Sequence, residues 1–228
     1  MLRKKRISNF PLKFKNTEEG TEDSVANDEK EEGSLVEEIQ KKLLLNDRKV
    51  LINEEIDNAS IINAWLYIEY LRDMDKDKPI HLYINSSGGS VHDALFLTDY
   101  LKSCETPIYT VGMGCCESAA FNILCCGHHR VCYENTLLMI HSVHVQFEQA
   151  TEFTAGQSKN YVLQLNEIEN ICVRVLSQQS KLSEKDIIEN INKFNEWYLS
   201  PNDALKYGFI DEIIKPLKRK KIIKRSMK

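Results

Sequence analysis

The sequence predicts an α/β domain built on a parallel sheet. Short apolar runs (Val50-Leu51-Ile52, Ile80–Ile84, Ile108–Val111) alternate with longer stretches whose apolar residues recur three and four apart. The connections between them are short, and strands and helices that alternate this way form parallel βαβ units. A third sign is the Ser86-Ser87-Gly88-Gly89-Ser90 turn, set between an apolar run and a helical stretch. Its glycines permit positive φ or a close backbone approach.

The elements follow in order. Residues 1–33 are polar and charged without periodicity, which predicts a flexible arm or a propeptide. Leu35, Ile39 and Leu43 give the next stretch helical spacing. Val50–Ile52 is the first strand, and Ile61, Ile62, Trp65, Leu66, Ile68 and Leu71 mark a helix over 58–73. The second strand, Ile80–Ile84, leads through the glycine turn into a helix with Val91, Ala94, Leu95, Leu97 and Leu101 inside. Pro107 opens the third strand, and the small residues after Gly114 predict a buried helix ending at Gly127. Short strands are expected near Arg130–Tyr133 and Leu137–Ile140, then a long amphipathic helix over about 153–180. Ser183 starts another helix. Ser200-Pro201-Asn202-Asp203 is a strong start for the last one, with Ser at the N-cap and Pro at the first helical position. Gly208 ends it, and Phe209–Ile214 is read as a final strand. One domain over 34–215 is expected, followed by a basic tail over 216–228.

Composition excludes several classes. With 42% hydrophobic and 28% charged residues in 228, the chain can bury a globular core. Five Pro and nine Gly are too few for collagen or a Pro/Gly-rich chain. No apolar run approaches the roughly 20 residues of a membrane span, and MLRKKRISNF lacks a secretory apolar stretch. A cytoplasmic or equivalent reducing location is therefore expected. The net charge of −4 hides six basic residues in 1–16, eight acids in 17–32 and eight basic residues in 215–228. Such tails are read as solvated rather than as a nucleic-acid surface. Seven cysteines, an odd number with two adjacent pairs, fit free thiols. Cys125, Cys126, His128, His129 and Cys132 match no common zinc spacing, so neither a metal nor another cofactor is expected.

Three loops fall at strand carboxyl ends, where α/β sheets gather their sites: 86–90, 114–120 and 139–142. Ser118 is the candidate nucleophile, at a strand–helix junction where unpaired N–H groups could bind an oxyanion. A serine needs a base within hydrogen-bond reach, and His141 is available, with a carboxylate to orient it. The residues alone favour blander roles: an N-cap for Ser118 and a structural histidine at 141.

The motifs YINSSGGSV (83–91), MGCCESAA (113–120), LLMIHS (137–142) and LSPNDALKYGFIDEI (199–213) resemble, in order, the signatures of the Clp protease proteolytic subunit family. The resemblance runs from about 35 to 214. It implies a crotonase-like fold of βαβ units with a protruding handle helix, here about 153–180. It also implies a serine peptidase whose subunits stack as heptameric rings and partner an AAA+ unfoldase that feeds unfolded chains. By position, Ser118 is the nucleophile, His141 the base, and the N–H groups of Gly89 and Ala119 the oxyanion hole. The segment after His141 would line substrate as an added strand.

The chain also departs from that pattern. The family's Asp-Arg-Phe-Leu-Ser reads Glu196-Trp197-Tyr198-Leu199-Ser200 here, so the triad acid becomes Glu196, with Asn195 as the neighbouring alternative. Ser87 replaces a Pro, Ser142-Val143 replaces Gln-Pro, and the connection from Ser118 to His141 is short. Glu117 stands beside the nucleophile, where an inward carboxylate would repel an oxyanion and an outward one would be solvated. His144 is a second candidate base. These differences point to a phage, viral or organellar branch. They keep two other functions in view: a non-catalytic ring subunit of the same fold, and an acyl-CoA enzyme of the crotonase type.

Overall fold

The structure, a computed structural model, describes residues 26–144 and 154–217. The chain divides into two units between Gln40 and Lys41. The first helix, α1 (Ala26–Leu45), crosses that division and begins earlier than Ser34, inside the stretch expected to be a flexible arm. The remaining elements lie in the second unit.

Five parallel strands form the main sheet in the order β1 (Lys49–Ile52), β2 (Ile80–Ser86), β3 (Ile108–Glu117), β4 (His129–Tyr133) and β7 (Glu212–Ile214). Helices α2 (Asn58–Met74) and α3 (Val91–Ser103) make the crossovers between the first three strands, which is the βαβ pattern expected. Burial alternates along β2: Ile80, Leu82 and Ile84 join the core, while His81 and Tyr83 face the other way. On that second face His81, Tyr109 and His129 meet edge to face across three strands.

Local chemistry fixes the helix ends. Asp57 and Ser60 form a reciprocal capping box on α2, and Ser90 caps α3. Thr154 with Gln157 caps α5 (Ala155–Gln178), and Ser183 with Asp186 caps α6 (Glu184–Phe194). Ser200 with Asp203 caps α7 (Pro201–Tyr207), as the sequence predicts. At the other end of α2, the buried Arg48 guanidinium donates to the carbonyls of Leu71, Asp75, Lys78 and Pro79 at 2.9–3.1 Å. It ties the last turn of α2, through Leu71 O, to the carbonyls of the loop that leads into β2.

The third strand positions the site. Over Tyr109–Gly112 it runs between β2 and β4. Its register against β2 then slips, from Ile84↔Gly112 to Ser86↔Cys116. Gly114 turns the chain there with φ +64, and a Cβ would fall 2.2 Å from Asn85 Oδ1. That oxygen accepts the Cys115 N–H at 3.1 Å. Beyond the bulge, Cys115–Glu117 pairs with a different strand, β5 (Leu137–His141). The helix expected directly after Gly114 therefore starts only at Ala119, as α4 (Ala119–Cys125), because the ladder to β5 claims the intervening backbone. A strand absent from the sequence reading, β6 (Glu196–Leu199), pairs antiparallel with β5. It turns Trp197 and Leu199 into the core and leaves Glu196 and Tyr198 exposed. The final strand is shorter than expected, since Phe209 and Ile210 are core residues ahead of Glu212.

Candidate active site

Ser118 occupies the junction of β3 and α4 with φ +54 and ψ −124. For a residue other than glycine such a backbone costs on the order of 1–3 kcal/mol, and strand-to-helix elbows hold nucleophiles in this way. The surroundings fix it on both sides. Its N–H donates to Met139 O at 2.8 Å, and its carbonyl accepts from Phe121 N at 3.0 Å. The side chain makes no cap bond to α4, so the N-cap role does not describe it. Ser118 Oγ instead lies 2.7 Å from Nε2 of His141, at the end of β5.

The glycine loop lies against this elbow. Ile56 clamps it by donating to Gly88 O at 2.8 Å and accepting from Ser90 N at 2.7 Å. A Cβ on Gly88 would stand 2.8 Å from Ser118 Cβ, and one on Gly89 would stand 2.3 Å from Ile56 O. Gly89 itself has φ +142. Its N–H takes no part in the clamp, and Ala119 N–H, in the first turn of α4, has no intrahelical acceptor. A cavity of about 260 Å³ opens beside the elbow, lined by Gly89, Ser118 and His141 and floored by Asn122, Cys172 and Leu176.

The charges are arranged less simply. Glu196 is the register partner of His141 across the β5–β6 ladder. Its carboxylate accepts the Tyr198 hydroxyl at 3.3 Å, and among the described residues no hydrogen bond joins it to the imidazole. His141 Nδ1 lies 3.3 Å from His144 Nδ1 instead. Asn195 closes α6 with φ +63, its N–H donating to Ile191 O, and its side chain makes no bond to His141 among the described residues. Burial, then the neighbouring His144, lower the pKa of His141, with Glu196 and Glu169 acting the other way. Glu117 is half-buried and its pKa is pushed up, first by burial and then by Glu196. It is therefore not simply a solvated surface acid. Glu169 of α5 accepts the Val143 N–H at 2.9 Å. The sequence carries no mark of that contact, since Glu169 is one polar residue among many on an amphipathic helix.

All seven cysteines are free. Cys125, Cys126 and Cys132 are packed in the core, and His128 accepts the Ile108 N–H at 3.2 Å. Among the described residues no three His, Cys, Asp or Glu side chains gather to hold a metal, and no helix is long and apolar enough to cross a membrane. The strand-like, substrate-lining segment expected after His141 falls mostly on 145–153, outside the described residues.

Comparison with known proteins gives the geometry a context. The family model described as Clp protease matches residues 31–216. ATP-dependent Clp protease proteolytic subunit 2 of Frankia casuarinae is 31% identical over 184 residues, covering 78% of this chain and 81% of the relative. ATP-dependent Clp protease proteolytic subunit 1 of Prochlorococcus marinus strain MIT 9312 is 30% identical over 182 residues, covering 77% and 89%. A subunit 2 from Synechococcus sp. strain CC9605 is 28% identical over 176 residues, covering 75% and 85%. The mixed sheet with its helices is the crotonase-like α/β fold of such subunits. The chain belongs to the Clp protease family.

Proposed function

We propose that this chain is a working serine endopeptidase subunit that cuts unfolded polypeptides through Ser118. The observation that supports this most is the 2.7 Å contact of Ser118 Oγ with His141 Nε2, made at a strained elbow facing two uncommitted N–H groups. Ser118 Oγ attacks the peptide carbonyl carbon as His141 Nε2 takes the hydroxyl proton. The carbonyl π electrons move onto oxygen, and the N–H groups of Gly89 and Ala119 stabilise the oxyanion. The C–N bond then breaks, and His141 returns the proton to the leaving amine. Water, deprotonated by the same imidazole, releases the acyl group and restores Ser118. Glu196, across the ladder from His141, supplies negative charge near the imidazolium.

By analogy with relatives named ATP-dependent proteolytic subunits, the chain assembles into stacked rings and receives substrate from an AAA+ unfoldase. A non-catalytic ring subunit is the second reading. It is favoured by the half-buried Glu117, whose carboxyl interacts with Glu196 close to the catalytic pair. Hydrolysis of an unfolded protein by purified wild type and by Ser118→Ala separates the two. The catalytic reading expects a loss of at least about 1,000-fold in the variant. Equal, background rates would favour the non-catalytic reading.

A further inference from the structure

We propose that His144 is the residue that holds His141 in its catalytic tautomer, the task of the third member of a serine triad. The inference rests on the serine-peptidase reading of Ser118 and His141. To accept the serine proton at Nε2, a neutral His141 must carry its own proton on Nδ1, and that N–H needs an acceptor. The side chain facing Nδ1 is His144, whose own Nδ1 lies 3.3 Å away; the Ser142 backbone also interacts with the imidazole and acts to raise its pKa. The rings are 4.8 Å apart by their centroids and inclined at 47°. At this separation the bond is long, of the kind that tightens when substrate binds. With its proton on Nε2, His144 presents a lone pair at Nδ1 and accepts. The expected orienting carboxylate, Glu196, is turned to the Tyr198 hydroxyl instead.

The short segment that carries His144 is anchored. Glu169 reaches from α5 to take the Val143 N–H at 2.9 Å, one residue before His144. Glu169 and Glu196 both act to raise the pKa of His141. The imidazolium formed in the reaction is thus stabilised by two carboxylates at a distance, while its Nδ1–H is oriented by a neutral acceptor. His144 acts through His141 and not on substrate, so it is a positioning residue.

The test compares His144→Ala with His144→Asn in the full chain, measuring hydrolysis of an unfolded protein and labelling by a fluorophosphonate. Asparagine places Oδ1 where histidine places Nδ1, so it can still accept from His141 but cannot titrate. His144→Ala is expected to lose about 10- to 100-fold in kcat with KM unchanged, and His144→Asn to recover most of it. The side chain is exposed, so both variants should melt with wild type. The proposal is overturned if His144→Ala matches wild type, or if Asn fails to rescue while both variants remain folded. Failure of the underlying reading looks different, since wild type would then be as unreactive as Ser118→Ala.

Discussion

Ser118, the proposed nucleophile, is set by its backbone as much as by its side-chain chemistry. Its positive φ is held by bonds to Met139 O and from Phe121 N, which aim Oγ at His141 and away from the first turn of α4. Gly89 is the second fixed point. Adding a Cβ there forces contact at 2.3 Å with Ile56 O, in a backbone that other residues rarely adopt. Gly89→Ala should therefore displace one of the two proposed oxyanion donors and lower kcat by about 100- to 1,000-fold. A steady-state assay beside a thermal melt checks that the loss is not unfolding. The pH dependence follows from His141. As the proposed base it must be neutral to act, and burial holds its pKa below the ordinary histidine value of 6.5. Activity should rise as pH climbs through a midpoint below about 6.5 and stay flat above it. A kcat/KM profile with its acid limb centred above that value would contradict this environment for His141.

At the scale of elements, α4 backs Ser118 from the core: every residue from Ala119 to Cys125 is buried. Phe121 packs edge to face on Phe209, with centroids 5.2 Å apart and both rings fully buried. Phe121→Ala should cost about 3–5 kcal/mol in urea unfolding, and activity should fall with the folded fraction. The caps were legible in advance because Ser200-Pro201-Asn202-Asp203 writes its geometry into residue types. The extension of β3 past Gly114 was not, because Cys115 to Glu117 has no strand-like composition and is held by a ladder to Leu137–Met139 that only the fold brings near. The β6 strand escaped for a related reason. Four residues containing two adjacent aromatics hide a period of two until pairing with β5 sorts Trp197 inward and Tyr198 outward.

For the molecule as a whole, the alternating sheet, the elbow serine and the strand-end histidine were readable from motif order. The environment of the histidine was not. A register match places Glu196 opposite His141, but which neighbour the imidazole bonds depends on side-chain direction, and so the sequence offers His144 only as a second candidate base. Leu51, Leu66, Phe96 and Leu137 are exposed in the single chain, and covering any of them in the proposed rings would be favourable. Sedimentation should accordingly report a mass of many chains, and a single-chain mass at micromolar concentration would contradict assembly into rings. The most direct test of the central claim is intact-mass detection of fluorophosphonate labelling on wild type, Ser118→Ala and His141→Ala. One adduct per wild-type chain, absent from both variants, is the expected result. An unlabelled, well-folded wild-type oligomer, or an adduct that survives Ser118→Ala, would contradict an activated serine at this elbow.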